Sequence, residues 1–262
     1  MNAHAIAILS FNHPDLTEKC INSVLALHYS GEIYLIHNGS HEKNVLNLKN
    51  LFPDITHLVI EKNKGYTGGA NFTLSEVFKK YRTCLFLTND TELQQLPKSI
   101  PTDFSSIHSL KRKTEFIDSM GGLIDIRNGK LLHRKNMSDV YNTKQFIPYI
   151  PGTAFWITKN IFEKLSGFDE TFHTYWEDVD VSYRAHLSDI TVNHSFDTII
   201  RHKIGKTCHK DDFYTYYLYQ RNRKKFMQKH GLTSLRFWFL FYKDLLRINK
   251  NRFKTTWKII ND

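Results

Sequence analysis

The chain contains little cysteine, and the little that it has is scattered. Its 262 residues include three cysteines, Cys20, Cys84 and Cys208, which lie far apart and form no CxxC pair. An odd number of isolated thiols argues against a disulfide framework and against a zinc knuckle. Such thiols are typical of proteins kept in a reducing compartment, so we expect a cytoplasmic location.

Long apolar runs and the common phosphate-loop spacings are also missing. No stretch approaches 18 uninterrupted apolar residues, so the sequence predicts no transmembrane helix. The glycines follow neither GxGxxG nor GxxxxGK(S/T) spacing, which gives little support to a dinucleotide-binding or P-loop protein. Hydrophobic residues make up 41% of the chain and aromatic residues 14%, which is enough for a substantial core.

The positive charge is concentrated at one end of the chain. Of a net charge of +10, all the excess lies from Arg221 to Asp262, where twelve Lys and Arg face two Asp. Apolar and basic residues alternate there at helical spacing, so this basic helix could lie on an anionic membrane surface or pack on the protein. Nucleic acid fits less well, because the neutral remainder offers no second basic patch. The apolar positions are Leu232, Leu235, Trp238, Phe239, Tyr242, Leu245 and Leu246, with Arg236, Lys243, Arg247 and Lys250 between them.

The first hundred residues alternate between short apolar runs and helical patterns, which indicates parallel βαβ units. A polar, turn-forming cluster follows each run at once. In open parallel sheets ligands bind beyond the carboxyl ends of the strands. Polar residues also end strands that serve no site, but four such clusters together favour a shared crevice. The predicted strands are Ala5–Leu9, Ile33–Ile36, Leu58–Ile60 and Cys84–Leu87.

Beyond Pro97 the pattern weakens. We interpret Pro101–Lys113 as a surface loop and residues 120–133 as a hairpin around a turn at 127–129. Tyr149–Ile157 is predicted to be one strand, with Gly152 where a side chain would obstruct a close neighbour. From about Tyr214 the sequence becomes helical and basic.

Two clusters of acidic or metal-binding residue types stand out. Glu177, Asp178 and Asp180 lie within four residues, and such proximity raises the cost of ionising each carboxylate. A protein tolerates this on a solvated helix face, or where negative charge serves a cation or a hydroxyl proton. Asp90 ends the fourth predicted strand and could bind Mg²⁺ or Mn²⁺ through oxygen, although a single Asp there is commonly a turn residue. His202 is one of 14 histidines and indicates little by itself.

Taken in order, these motifs resemble family 2 glycosyltransferases of the GT-A fold, and most of all their rhamnosyltransferase-type branch. The resemblance covers roughly residues 4 to 231. The motifs that carry it are Ser10-Phe11-Asn12, Asn38-Gly39-Ser40, Asn63-x-Gly65-x-x-Gly68-Gly69-x-Asn71, Leu87-Thr88-Asn89-Asp90-Thr91, Pro151-Gly152-Thr153-Ala154, Gly167-Phe168-Asp169-Glu170, Trp176-Glu177-Asp178-Val179-Asp180, His202 to Thr207 and Gln220-Arg221-Asn222-Arg223.

The resemblance implies an α/β protein with a Rossmann-like, mostly parallel central sheet and a helical basic C-terminal extension. Residues 1–213 would form the GT-A catalytic domain, with a nucleotide-binding half over about 1–96 and an acceptor half over about 97–213. The extension would span 214–262. Such an enzyme moves a sugar, with inversion, from a nucleotide-diphosphate-sugar donor to a hydroxyl of a glycan or lipid-linked acceptor. The expected cofactor is Mg²⁺ or Mn²⁺, and the expected setting is cell-surface polysaccharide synthesis at the inner membrane face.

The resemblance also assigns roles to residues. Asp178 would be the general base with Glu177 beside it, Asp90 and His202 would contact the metal, and the faces of Tyr175 and Trp176 would stack on the acceptor. Core packing next to a helix start is the other interpretation of these two aromatics. The donor would be bound by Ser10, Asn12, His37, Asn38, Asn63, Gly65, Gly69, Asn71 and Asn89.

Two positions depart from the family pattern. His37 stands where the family usually has an Asp that contacts the base, so the donor nucleotide is open. Thr88 replaces the first acid of the metal triplet, so a metal would depend on the donor phosphates. The alternatives are a noncatalytic nucleotide-sugar or membrane-surface binding protein, and a nucleotidyltransferase. A nucleotidyltransferase should carry a basic phosphate loop after the first strand, and the segment 10–13 offers none.

Overall fold

The computed structural model describes residues 4–98, 106–113, 121–133, 144–202 and 213–246. Strands and helices alternate in its first part, as the sequence predicts. In chain order the elements are β1 (His4–Ser10), α1 (Pro14–Leu25), β2 (Ile33–Asn38), α2 (Glu42–Leu51), β3 (Thr56–Ile60), α3 (Gly65–Val77), β4 (Thr83–Thr88), β5 (Thr91–Gln95), β6 (Ser106–Lys113), β7 (Gly122–Asp125), β8 (Lys130–His133), β9 (Phe146–Tyr149), β10 (Ala154–Thr158), α4 (Lys159–Lys164), a 3-10 turn (Glu170–Phe172), α5 (Glu177–Leu187), β11 (Thr191–His202), α6 (Phe213–Lys229) and α7 (Leu235–Leu246).

Eight strands form the central sheet, in the order β3-β2-β1-β4-β10-β6-β11-β5. The first four are mutually parallel, while β10 runs antiparallel between β4 and β6. Strand β11 is parallel to β6 and antiparallel to β5. A separate antiparallel sheet has the order β8-β7-β9. The carboxyl ends of the four parallel strands therefore meet at one edge.

The central sheet is buried on both faces, which explains the continuous apolar runs in its strands. In β1 the side chains alternate between two cores, as the pleat requires. Ala5, Ala7 and Leu9 pack in the core that includes α3. Ile6 and Ile8 pack on the opposite face, with apolar residues of α1 and α2. Helices on both faces thus fix the sheet without constraining the polar residues at its edge.

The starts of two helices have local causes. Helix α1 begins at Pro14, whose fixed φ suits the first turn of a helix. The glycine-rich segment 65–69 forms the first turns of a helix, because α3 begins already at Gly65. A Cβ on Gly69 would lie 2.8 Å from Asn38 Nδ2 and 2.9 Å from Leu9. The small residues therefore let the first turns of α3 approach the sheet.

Two predictions for the middle of the chain were wrong. The C-terminal part of the expected loop 101–113 is strand β6, which lies inside the central sheet between β10 and β11. Its sequence has few apolar residues, and pairing on both edges outweighs this weak local preference. The single strand expected over 149–157 is two strands, β9 and β10, in different sheets. Pro151 and Gly152 lie in the break between them.

The second half of the chain has its own core. The predicted hairpin is confirmed as β7 and β8, and residue 120 lies outside the described ranges. Helices α5, α6 and α7 share an apolar cluster with the small sheet, including Trp176, Phe226 and Phe241. Within the described residues no helix combines the length and apolar character needed to cross a bilayer. Cys208, the segment 203–207 and the basic residues from Arg247 onward lie outside those ranges.

Candidate functional site

The predicted donor residues lie side by side at the carboxyl edge of the sheet. The strand register aligns Ser10 with His37, Leu9 with Thr88, and Asn38 with Ile60. Asn89 continues this row, because its N–H donates to the carbonyl of Leu9 at 3.1 Å. The parallel topology thus assembles residues that are up to eighty positions apart in the chain.

Ser10, Asn12 and Asn89 form one hydrogen-bonded group. Asn89 Nδ2 lies 3.0 Å from Thr17 Oγ1, 3.4 Å from Ser10 Oγ and 3.3 Å from the carbonyl oxygen of Asn12. Asn12 has a positive φ of 51°, and its side-chain oxygen accepts from the N–H of His41. These polar side chains hold the ends of β1 and β4 together. Asn12 retains partial exposure, while Ser10 and Asn89 lie beneath the surface.

Asn38 and Asn63 fix the start of α3. Asn38 Nδ2 donates to the carbonyl oxygen of Gly65 at 2.9 Å and to Asn63 Oδ1 at 3.2 Å. Asn63 Oδ1 accepts from the N–H of Gly65 at 2.8 Å. Gly65 has a φ of +69°, and a Cβ there would lie 2.4 Å from the His173 ring. A glycine is therefore required at the entry to the helix.

Asn71 connects α3 to the loop that precedes the catalytic candidates. Its Nδ2 donates to the carbonyl oxygen of Phe168 at 2.9 Å and to Glu170 Oε1 at 3.0 Å. Its Oδ1 accepts from the N–H of Phe168 at 2.8 Å. The Asn71 side chain therefore holds the Gly167-Phe168 turn against α3.

The ring of His37 is fully buried, and this corrects the prediction that it lines the nucleoside pocket. It stacks on His57 with ring centroids 5.3 Å apart, and Nε2 lies 3.0 Å from His57 Nδ1. Burial, the nearby His57 and Lys49 lower the pKa of His37 to about 4. A neutral ring therefore occupies the position of the family Asp.

Asp90 and His202 are brought together from opposite ends of the chain. The register of β11 against β5 pairs His202 with Thr91, and His202 Nε2 then lies 3.1 Å from Asp90 Oδ2. Thr88 Oγ1 donates to Asp90 Oδ1 at 2.6 Å. Burial alone would raise the pKa of Asp90, but the bond and charge of His202 and the Thr88 bond lower it. Asp90 is therefore ionised at neutral pH.

The Asp90–His202 pair fits two ligands of a divalent cation. Both side chains are about 15% exposed, at 14% and 15%. Adjacent ligands of an octahedral Mg²⁺ lie about 3 Å apart, because each bond is about 2.1 Å long. Among the described residues no group of three or more His, Cys, Asp or Glu is clustered for a metal. The remaining ligands would have to come from a bound diphosphate and water.

Asp178 lies in the first turn of α5, partly exposed. Its Oδ2 accepts from the N–H of Gly152 at 2.9 Å, and its Oδ1 accepts from the N–H of Val179 at 2.8 Å. Both donors and the positive end of the helix favour the carboxylate form. A carboxyl group that is fixed by two N–H donors and keeps partial access to solvent is placed as a general base requires.

The two neighbouring acids differ from Asp178. Burial and the charge of Asp178 raise the pKa of Glu177 well above its usual range, so Glu177 holds a proton. Asp180 is fully buried and ion-paired with the side chains of Arg184, Lys229 and His230. The charge of Asp178 thus acts on Glu177, while Arg184 and Lys229 offset the charge of Asp180.

Trp176 does not offer a face to a sugar. It is 1% exposed and packs against Tyr219 and Phe226, so the predicted acceptor role is replaced by core packing. Tyr175 keeps partial exposure beside it. Both have a positive φ, of 67° and 71°. Asn222, from the Gln220–Arg223 motif, holds this unusual turn by donating to the carbonyl oxygens of Phe172, Thr174 and Tyr175.

Residues 151–153, which we call the PGT segment, connect the two acidic centres. The N–H of Gly152 bonds Asp178, and the carbonyl oxygen of Thr153 accepts from the N–H of Thr88 at 2.9 Å. Thr88 in turn bonds Asp90. Tyr66 Oη donates to the carbonyl oxygen of Gly152 at 2.6 Å. Sequence reasoning gave Tyr66 no role, and its place between Gly65 and Gly68 was the available signal.

Comparison with known proteins identifies the fold. Residues 5–98 match the family model described as glycosyl transferase family 2. No curated protein sequence matches the chain significantly. Among solved structures, GalNAc-T7 with UDP, GalNAc and Mn²⁺ has a TM-score of 0.62 and 14% identity, over 85% of this chain and 48% of that one. The chain therefore spans about half the length of that protein.

Two further structures agree. The mannosyltransferase PcManGT from Pyrobaculum calidifontis, with GDP-Man and Mn²⁺, has a TM-score of 0.56 and 10% identity, over 99% of this chain and 74% of that one. TarS 1–349 from S. aureus, with UDP, has a TM-score of 0.56 and 13% identity, over 95% and 76%. Such identities show the fold alone, and the predicted fold class is confirmed. The chain therefore has the GT-A fold, and its residues 5–98 match the model of glycosyl transferase family 2.

Proposed function

We propose that this protein is an inverting glycosyltransferase that uses a nucleotide-diphosphate sugar, with Asp178 as its general base. One observation carries the proposal. The PGT segment holds the Asp178 carboxylate with one residue and is bonded to Thr88, the partner of Asp90, with the next. The proton acceptor Asp178 and the candidate metal ligand Asp90 are therefore both connected, by hydrogen bonds, to one short segment of backbone. A transfer between donor and acceptor requires such a fixed arrangement.

The proposed chemistry needs one proton transfer. An acceptor hydroxyl attacks the anomeric carbon on the face opposite the diphosphate and forms a new C–O bond. The bond from the anomeric carbon to the phosphate oxygen breaks, and its electron pair leaves with the diphosphate. The Asp178 carboxylate takes the hydroxyl proton. Glu177, being protonated and buried, does not compete for this proton.

Asp90 and His202 would hold a divalent cation, Mg²⁺ or Mn²⁺. When bound, that cation would offset the negative charge that grows on the leaving diphosphate. With Thr88 in place of an acid, the chain supplies one carboxylate and one imidazole. Affinity for the metal without donor is accordingly expected to be weak.

Nucleoside diphosphate sugars are the donor class that the proposal names. The solved relatives contain UDP, UDP-GlcNAc or GDP-Man, which supports the class without selecting the base or sugar. The rhamnosyltransferase-type branch stays a prediction. The buried, neutral His37 removes the charged contact that the family Asp would make, so selection of the base would rest on other groups.

The acceptor is proposed to be a glycan or lipid-linked sugar of cell-surface polysaccharide synthesis, reached at the inner face of the membrane. The support is helix α7. Phe237, Phe241 and Leu245 face the protein core, while Leu235 is 91% exposed and Phe239 is 68% exposed. Arg236 and Lys243 lie beside the exposed apolar residues. One face thus packs on the domain and the other suits an anionic lipid surface.

A thermal-shift panel of UDP-, dTDP- and GDP-sugars, each with and without Mn²⁺ or Mg²⁺, tests donor binding. A donor at 100 times its Kd adds about 2.7 kcal/mol to the free energy of unfolding. For a chain of this size that raises Tm by roughly 5–10 °C. No shift with any donor would contradict the proposal.

The general base is tested by Asp178→Asn. This variant should keep the donor-induced rise in Tm while release of nucleoside diphosphate falls by roughly 100-fold or more. Asp54→Asn, at an exposed loop position, is the matched control and should keep its turnover. Full turnover in Asp178→Asn would favour a noncatalytic binding protein or another base.

A further inference from the structure

Tyr66 lies where it can act on Asp178 through the backbone of Gly152. It belongs to the first turn of α3, in the nucleotide half, yet its hydroxyl reaches the carbonyl oxygen of Gly152 at 2.6 Å. The ring packs edge-on against Phe86 and Phe168, which restricts its movement. Burial, and after it the charge of Asp178, raises the pKa of Tyr66 well above its usual range. The hydroxyl therefore remains a donor at any physiological pH.

Gly152 is held on both sides of its Cα. Its carbonyl oxygen accepts from Tyr66, and its N–H donates to Asp178 Oδ2 at 2.9 Å. A Cβ on Gly152 would lie 2.8 Å from Tyr66 Oη and 3.4 Å from Asp178 Cβ. Gly152 does not have a positive φ. The glycine is therefore needed for the close approach of Tyr66 and not for its backbone conformation.

We infer that Tyr66 is a positioning residue for the base, acting through the peptide groups of Gly152. Its hydroxyl fixes the PGT segment, and that segment fixes the orientation of the Asp178 carboxylate relative to Asp90. Tyr66 thereby links the start of α3 to the alignment of the proton acceptor. This inference rests on the proposed glycosyl transfer.

Tyr66→Phe removes the hydroxyl and keeps the ring. Turnover is measured as release of nucleoside diphosphate, using the UDP-, dTDP- or GDP-sugar that the wild-type protein accepts, with Mn²⁺ present. We expect kcat to fall roughly 10-fold or more, because a small misplacement of a catalytic group has an effect of this size. The donor KM and the donor-induced rise in Tm should stay unchanged, because the Tyr66 hydroxyl is engaged with the Gly152 carbonyl oxygen and the ring is kept.

Tyr81→Phe is the matched control. Tyr81 lies just beyond the other end of α3, and its hydroxyl donates to Glu32 at 2.5 Å. Like Tyr66→Phe, the Tyr81→Phe variant loses one hydrogen bond donated by a tyrosine hydroxyl, here the bond to Glu32. The stability of this variant should fall, while its kcat should stay at the wild-type value. A loss of kcat in both variants would indicate a general effect of lower stability and would overturn the inference.

Gly152→Ala provides a second route if Tyr66→Phe does not fold. Its added methyl group forces the Tyr66 hydroxyl away from the same peptide, so kcat should fall again without a change in donor KM. In the double variant the two losses should be far from additive, because both act on one contact.

The two proposals fail in different ways. If the wild-type protein turns over donor and Tyr66→Phe has the same kcat, the positioning role alone is overturned. Fully additive losses in the double variant would overturn it as well. A wild-type protein without turnover on any donor overturns the proposed function, and the positioning role with it.

Discussion

At the scale of single residues, the site contains three acids within four positions that have three different states. Asp178 is partly exposed and held by two N–H donors, Glu177 is buried with an unpartnered Oε2, and Asp180 is enclosed by cationic side chains. Burial and the neighbouring polar and charged groups give the three carboxyl groups different surroundings, which their spacing in the sequence does not reveal. Of the three, Asp178 alone keeps partial access to solvent.

The protonation of Glu177 is testable through stability. A carboxyl whose pKa is raised by folding stabilises the protein fully below its unfolded pKa, and this contribution is lost as pH rises through the folded pKa. Glu177→Gln cannot ionise and escapes this loss. We expect the free energy of unfolding of the variant, relative to wild type, to increase as pH rises above the unfolded value of about 4.3, as measured by urea unfolding.

Glu163→Gln, at an exposed position of α4, serves as the control for that comparison. Its difference from wild type should be small and independent of pH, because exposed ion pairs contribute little. A difference for Glu177→Gln that is equally constant with pH would show that Glu177 is ionised throughout.

At the scale of elements, two charged clusters hold the helices on the sheet. Asp180 of α5 and Asp169 of the preceding loop share Lys229 from the end of α6, at 2.7 Å and 2.8 Å. At the opposite edge of the central sheet, Glu32 accepts from Thr56 Oγ1, Lys80 Nζ and Tyr81 Oη. The first cluster joins the end of α6 to α5, and the second joins β2, β3 and the residues just after α3.

The Glu32 cluster predicts a loss of stability in acid. Burial alone would raise the pKa of Glu32, but its bonds from Lys80, Tyr81 and Thr56 lower it to about 2. For a depressed pKa the stabilisation is complete above the unfolded value of about 4.3 and disappears as pH falls towards 2. Glu32→Gln should lower the free energy of unfolding at pH 7 by about 2 kcal/mol and should flatten the curve between pH 5 and pH 2.

Urea unfolding at a series of pH values measures this effect. Glu42→Gln, exposed at the start of α2, should reproduce the wild-type curve. An acid limb in Glu32→Gln as steep as that of wild type would assign the acid sensitivity to other carboxylates.

At the scale of the whole molecule, the charge and the exposed apolar residues lie at the same end. Asp244 is paired with Arg223 at 2.9 Å, so it does not offset the other basic residues of the region. Leu235, Phe239 and Tyr242 are 91%, 68% and 41% exposed on α7. The basic sequence continues to residue 258. This combination is typical of a surface that rests on anionic lipid.

Sedimentation with vesicles of phosphatidylcholine, with or without phosphatidylglycerol, tests this surface. The protein should bind the anionic vesicles, and rising salt should weaken binding. Phe239→Glu should reduce the partition coefficient roughly 10-fold or more, because it removes an exposed aromatic side chain whose burial in lipid contributes about 2 kcal/mol and adds a negative charge.

Leu187→Glu makes the same kind of change at a site away from α7 that is 62% exposed, and it should bind like wild type. Equal binding of wild type and Phe239→Glu, or equal binding to neutral and anionic vesicles, would count against the membrane surface.

The sequence alone determined the parallel half of the fold, because apolar runs followed by polar clusters are local patterns that report burial and strand ends directly. It also indicated the order of the candidate site residues. Only the tertiary structure decided that β6 is a strand, since its pairing comes from distant β10 and β11. Only the tertiary structure buried His37 and Trp176, separated the states of three adjacent acids and brought Tyr66 to Gly152. Each of these depends on which groups meet across the fold, and neither spacing nor composition carries that information.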